Sequence, residues 1–274
     1  MSDGTSFWYV YGVVPATLGI ANAPAGLDES SLDSLGDGEL AAVVSRLDRV
    51  QYSADAVERG TADMEWLAPR AVAHDRVLTW ASDRGPVVPF PMFSLFSSDD
   101  AVRQMLREQA PQLRAALTRA TAGREYALRV YRLDAELVTV AAEHSPRLAE
   151  LQRAADAASP GQRYLLERKV ETERKSELRA IGARVGREVL DALRPLAEDA
   201  FESRISPRAT SGSADNPLVL DAAFLIAPPR LEEFQRTLTE LLKRHAGRGF
   251  RFDFTGPWPP YHFVQASETR PDGT

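Results

Sequence analysis

The 274-residue sequence predicts an α+β protein of two domains, an N-terminal sheet domain over residues 1–133 and a C-terminal domain over residues 134–274. Three observations carry this expectation. Strand-like aromatic and β-branched runs alternate with helical periods up to residue 133. A long helical stretch then fills residues 134–200, and the last third reads strand, helix, strand.

The first run, "SFWYVYGVV" at 6–14, is aromatic and β-branched and meets Pro15, as a strand does. Residues 19–38 are rich in Gly, Ala, Ser and Asp with no helical period, and predict a loop. "ELAAVVS" at 39–45 does not alternate, so it predicts a short strand buried on both faces. From Met64 to Ser82, Leu67, Ala71, His74, Leu78 and Ala81 recur at helical spacing, with Pro69 confined to the first turns or kinking the axis. "GPVVPFPMFSLF" at 85–96 is extended and broken by proline, which restricts it to a sheet edge or a bulge. "SSDD" at 97–100 offers helix caps for a helix carrying Val102, Met105, Leu106, Leu113 and Leu117, bent at Pro111. In "GREYALRVYRL" at 123–133, Tyr126, Leu128 and Val130 share one face, opposite Arg129 and Tyr131. The first domain is thus expected to read ββαβαβ.

Beyond residue 134 a first helix stops near "ASPG" at 158–161 and a second begins at once. The second carries Leu178, Ile181, Val185, Val189, Leu193 and Leu196 as one apolar stripe. Its earlier turns, "ERKVETERKSELR" at 167–179, are almost all charge, with Glu171 and Lys175 placed for an i,i+4 pair. Such a run serves either as a solvated face or as a docking surface. "NPLVLDAAFLIAPP" at 216–229 is a strand bounded by proline. A helix over 231–245 turns Leu231, Phe234, Leu238, Leu241, Leu242 and His245 inward, and Gly247 and Gly249 close it. In "FRFDF" at 250–254 the three Phe rings must share a face. With a possible strand at 203–210, the order αββαβ resembles a ferredoxin-like sandwich.

Composition narrows the function. Basic and acidic residues number 33 and 39, giving a net charge of −6, which argues against a nucleic-acid binder. No apolar run is long enough to span a bilayer, and the N-terminus lacks the basic region of a signal peptide, so a cytoplasmic protein without membrane insertion is expected. The chain has no cysteine, so disulfides, thiolate nucleophiles and sulfur-ligated zinc are excluded. His74, His144, His245 and His262 form no metal-binding spacing, and neither GxGxxG, a phosphate-binding loop nor GxSxG occurs. His74 and His245 lie on apolar helical faces as core histidines do, and His144 falls near a loop. No cofactor and no catalysis are expected.

The last ordered-looking stretch, "RFDFTGPWPPYHFV" at 251–264, places three prolines and five aromatic rings within fourteen residues. Proline fixes φ and restricts the residue before it, so the segment is stiff before anything binds it. A stiff segment suits either a permanently packed flap or a preorganised contact ridge.

That stretch also carries a resemblance. "TGPWPPYHFV" at 255–264 is similar to the C-terminal signature of the gas vesicle accessory proteins F and L. "YVYGVVPA" at 9–16, "LAAVVS" at 40–45, "MEWLAPRAVAHDRVL" at 64–78, "SPGQRYLLERK" at 159–169 and "LDAAFLI" at 220–226 fit the same family in order. One departure is visible: Pro91 and Phe93 stand where members often show arginine and glycine. The resemblance implies a two-domain assembly or minor structural protein of gas vesicles, associated with the vesicle on its gas-facing side. Its implied partners are the small hydrophobic shell subunit and other accessory proteins. Partner contact is then expected of Trp258, Tyr261 and Phe263, and of Arg168, Lys169 and Arg174 on the charged helix. The alternative is a small-molecule sensor or enzyme built on the ferredoxin-like half.

Overall fold

Strand β1 (Ser6–Pro15) is the centre of the first sheet, because both its faces are apolar and both are covered. The computed structural model describes residues 5–138, 146–205 and 216–264. Within these the chain forms two compact units. One runs up to Glu125 and takes back the segment from Pro257; the other spans Tyr126–Gly256.

In the first unit β1 pairs antiparallel with β3 (Leu40–Asp48), which pairs with β2 (Leu32–Asp37). On its other side β1 meets the two-residue strands β4 (Val88–Pro89) and β5 (Leu95–Phe96). Alternation divides the side chains. Trp8 and Val10 point into one apolar cluster with Leu40, Ala42 and Val44; Tyr9 and Tyr11 point into another with Ala41 and Val43. A register shift between Val10 and Gly12 inserts one residue, so Val13 joins the first cluster and Val14 the second. Gly12 is required there, since a Cβ would lie 2.8 Å from the carbonyl of Val88.

Helices cover both faces. α1 (Ala54–Thr61) and α2 (Met64–Ser82) lie on the tyrosine side, with Ala73, His74, Val77, Leu78 and Ala81 of α2 buried. α3 (Asp99–Glu108) and α4 (Ala110–Ala120) cover the other side through Val102, Met105, Leu106, Leu113 and Leu117. Asp63 caps α2, and Ser98 caps α3 by accepting from the N–H of Ala101 at 3.2 Å.

The second unit has the order β6 (Arg124–Arg132), α5 (Pro146–Asp156), α6 (Pro160–Leu193), β7 (Asp199–Glu202), β8 (Leu218–Ile226), α7 (Leu231–His245) and β9 (Phe250–Trp258). Its sheet runs β7-β8-β6-β9. Leu178, Ile181, Val185, Val189 and Leu193 of α6 pack with Leu128, Val130, Phe224, Phe234 and Phe250 in one core, and Phe252 and Phe254 join them. α6 closes on β8 through Gly182 and Gly186: a Cβ at Gly186 would meet the Val219 carbonyl at 2.7 Å.

Several expectations are corrected. The stretch expected as a loop contains β2, an edge strand whose Asp, Ser and Gly hide it in composition while Leu35 is buried. Pro111 does not bend one helix but starts a second, because it sits in the first turn of α4 where its missing N–H costs nothing. Strand 123–133 does not extend the first sheet; it lies beside β8 and β9. The short helix α1 had no expectation at all. The possible strand at 203–210 gives no strand at 203–205, β7 having ended at Glu202, and residues 206–210 lie outside the described residues. His144 lies outside them too.

Candidate functional site

The prolines and aromatic rings that follow β9 settle mostly into the first unit. Pro259 and Pro260 are buried, and the N–H of Tyr261 turns back to the carbonyl of Pro259 at 2.7 Å. The Tyr261 ring joins the cluster beneath α2, and its hydroxyl donates to Asp75 Oδ1 at 3.3 Å. Burial, with the Asp75 carboxylate adding to it, raises the pKa of this phenol. Phe263 is buried and its carbonyl accepts from Arg119 Nε at 3.2 Å. Val264 enters the opposite cluster, among the side chains of α3 and α4.

Glu125, 2 % exposed, secures the middle of this segment. It accepts from the backbone N–H of His262 at 3.0 Å and from Nδ1 at 2.6 Å. The segment is therefore held at four successive residues and acts as a flap. Of its three candidate contact rings, Tyr261 and Phe263 serve the fold, while Trp258 stays 37 % exposed at the end of β9.

On α6, Arg168 and Lys169 are exposed. The Arg168 guanidinium lies 5.6 Å from the ring centre of Tyr164, itself exposed beside Leu165. Arg174 is committed to an ion pair with Glu171, whose other oxygen is 3.8 Å from Lys175. These cations and Trp258 belong to different units.

His74 and His245 are structural in placement. His74 Nδ1 lies 2.6 Å from the hydroxyl of Tyr9, and its second hydrogen bond goes to the backbone of Phe90. Burial holds its pKa down to about 4, so the ring is neutral. Burial likewise pushes the Tyr9 phenol up. His245 is buried against Phe250, with Nε2 3.3 Å from Glu188, and Arg244 reaches the same carboxylate at 2.5 Å. Burial alone would raise the pKa of Glu188, but these two partners hold it below the usual carboxylate range. Among the described residues no group of three His, Asp or Glu side chains is placed to hold a metal, and no helix is long and apolar enough to cross a membrane.

One cluster had no sequence signal. Arg70 stacks 4.1 Å over Trp66, pairs with Asp28 at 2.9 Å and donates to the Tyr52 hydroxyl, which in turn donates to Asp28 at 2.5 Å. Two left-handed residues, Asp28 (φ 49°) and Phe93 (φ 65°), contribute to it, Phe93 stacking on Trp66. Glycine is the residue that takes the Phe93 conformation freely. Beside the cluster α2 opens a concavity of about 140 Å³, walled by Pro69, Val72 and Ala73 on the helix and by Gly26, Asp28 and Glu29 opposite.

The profile of the family described as gas vesicle synthesis protein GvpL/GvpF matches residues 7–265. Gas vesicle protein L of a Streptomyces species is 26 % identical over 264 residues, covering 95 % of this chain and 93 % of that one. Gas vesicle protein L1 of Halobacterium salinarum is 24 % identical, covering 74 % and 73 %. The crystal structure of gas vesicle protein GvpF from Anabaena superposes with a TM-score of 0.72 at 20 % identity, over 96 % of this chain and all of that one. That of GvpF from Microcystis aeruginosa gives 0.66 at 17 % identity, over 94 % and 99 %. At these identities the two structures speak for a shared mixed helix and sheet fold. The match along nearly the whole sequence says more: this chain belongs to the gas vesicle synthesis protein GvpL/GvpF family.

Proposed function

We propose that the protein is an assembly factor or minor structural component of gas vesicles that binds the hydrophobic shell subunit and other accessory proteins, without catalysing a reaction. It works in the cytoplasm and at the vesicle, on the gas-facing surface. The family match over residues 7–265 carries this reading. The tail geometry supports it: Trp258 is presented at the end of a strand whose continuation is fixed by buried hydrogen bonds, so little ordering entropy opposes its use in a contact. In this reading Trp258 touches the partner, Tyr261 and Phe263 hold its segment in place, and Arg168, Lys169 and Arg174 form a second contact on α6. The two units act as two domains, the chain passing from the first to the second after Glu125 and back to the first at Pro257. The second, with α6 between β6 and β7, α7 between β8 and β9, and a β7-β8-β6-β9 sheet, is a ferredoxin-like scaffold for α6.

The experiment is genetic. Cells of the source organism lacking this gene should form few or no gas vesicles by electron microscopy, and the wild-type gene should restore them. Restoration should be impaired with Trp258→Ala although that variant is folded. Normal vesicles in the deletion strain would contradict the proposal.

A further inference from the structure

A strand at the edge of a sheet leaves a row of backbone N–H and C=O groups without a neighbour, and such a row pairs with other chains unless it is guarded. Three of the edges here are guarded. β4 and β5 are two residues long each, β2 carries Asp33 and Asp37, and β7 has four residues with Asp199 and Glu202 exposed. Short length and like charges both discourage a neighbouring strand. β9 differs. It is nine residues long, it is bonded to β6 alone among the described residues, and its charged residues are one cation and one anion, Arg251 and Asp253. Phe252 and Phe254 pack on the core yet stay only partly buried, so apolar surface also reaches this edge.

One hydrogen bond fixes which groups face outward. The N–H of Leu133, just after β6, donates to the carbonyl of Gly249 at 2.9 Å. A trans peptide sets its C=O and N–H in opposite directions, so the N–H of Phe250, in the same peptide unit, points away from β6. Strand residues alternate in this respect. Phe250, Phe252 and Phe254 therefore offer N–H and C=O to the open side, while Arg251 and Asp253 turn theirs toward β6. Side chains alternate as well: the Phe rings join the core, and Arg251 lies on the opposite face with its guanidinium 4.3 Å from the ring centre of Tyr131. The regular edge ends beyond Phe254, where Gly256 takes a φ of 128° and Pro257 has no N–H to offer.

We infer that the β9 edge pairs antiparallel with β9 of a second copy of this chain, about a two-fold axis at Phe252, joining two four-stranded sheets into one. Phe252 then faces its own counterpart and Phe250 faces Phe254 of the second copy, each pair exchanging two backbone hydrogen bonds. Arg251 falls opposite Asp253 of the second copy, and the reverse, in the non-hydrogen-bonded class of pair that brings side chains closest. Within one chain Arg251 Nη2 lies 3.2 Å from Asp253 Oδ2, an exposed contact that contributes little alone. Across the axis the four charges make a square in which each neighbour, along the strand and across it, has the opposite sign. An axis at Arg251 or at Asp253 would set like charges face to face. A two-fold contact uses one patch twice and so needs a patch that complements itself, as this edge does.

The test is sedimentation velocity of the full chain over a range of concentrations, as wild type, Arg251→Asp, Asp253→Arg and the double exchange Arg251→Asp/Asp253→Arg. Amide hydrogen exchange of wild type is followed over the same concentrations. Asp253→Arg leaves the Arg251 contact with Tyr131 in place, and thermal melts check that each variant folds. Each single reversal sets like charges opposite each other across the axis, and the double exchange restores opposite ones. The expected result is a monomer that becomes a dimer as concentration rises, with the amides of Phe250, Phe252 and Phe254 gaining protection as it forms. Each single reversal should raise the dimer Kd at least tenfold, and the double exchange should bring it back to near the wild-type value. Wild type that stays monomeric overturns the proposal, and so does a dimer whose β9 amides gain no protection. A dimer that the single reversals leave intact, or that the double exchange fails to restore, overturns it equally.

Discussion

The carboxylate of Glu125, almost without solvent contact, takes two hydrogen bonds from a single residue, His262: one from the backbone N–H and one from Nδ1. A carboxylate only accepts, so the imidazole carries its proton on Nδ1. Glu125→Ala removes both acceptors and leaves the His262 N–H without its partner, a loss of about 1–3 kcal/mol. Urea unfolding should show it, and limited proteolysis should cut between residues 257 and 264 faster than in wild type. Unchanged proteolysis would mean the flap is held by its apolar side chains alone.

The neutral His74 predicts an acid-sensitive first unit. Its folded pKa, about 4, lies below the ordinary 6.5, so as pH falls the unfolded chain takes up the proton first. The stability tied to this ring is complete above about pH 6.5 and is lost between there and about pH 4, to a total of about 3 kcal/mol. Unfolding free energies at pH 7.5 and 4.5 should therefore converge in His74→Gln relative to wild type. Parallel pH dependence in the two proteins would place the sensitivity elsewhere.

Glycines of the second unit separate close packing from turn chemistry. Gly186→Ala drives a methyl to 2.7 Å from the Val219 carbonyl and should cost about 1–3 kcal/mol, whereas Gly247, with nothing within 4 Å, should tolerate alanine with little change. Paired melting curves of the two variants decide this.

Much of the fold was legible because it is local. α2 spans Met64–Ser82, the residues its period marks, and Phe250, Phe252 and Phe254 share the core as strict alternation requires. What escaped was long-range. Tyr126, Leu128 and Val130 announce a half-buried strand, but alternation does not say which sheet receives it. β2 forms because β3 offers it a ladder, not because "LDSLGD" favours a strand. The stiffness of 257–264 was readable from its prolines. Its destination was not, since it depends on Glu125, Arg119 and Asp75, distant in sequence by more than a hundred residues. The concavity on α2 was hidden for a related reason. Its far wall is a turn in left-handed conformation at Asp28 and Glu29, residues whose identity does not demand it.

The central claim is that this chain acts by contact with another vesicle protein. The most direct measurement is equilibrium binding of the purified full chain to the purified shell subunit and accessory proteins. Saturable binding to at least one of them, weakened when Trp258 is altered in a folded variant, is the predicted result. Absence of binding to all of them at concentrations where the proteins stay soluble would contradict the account.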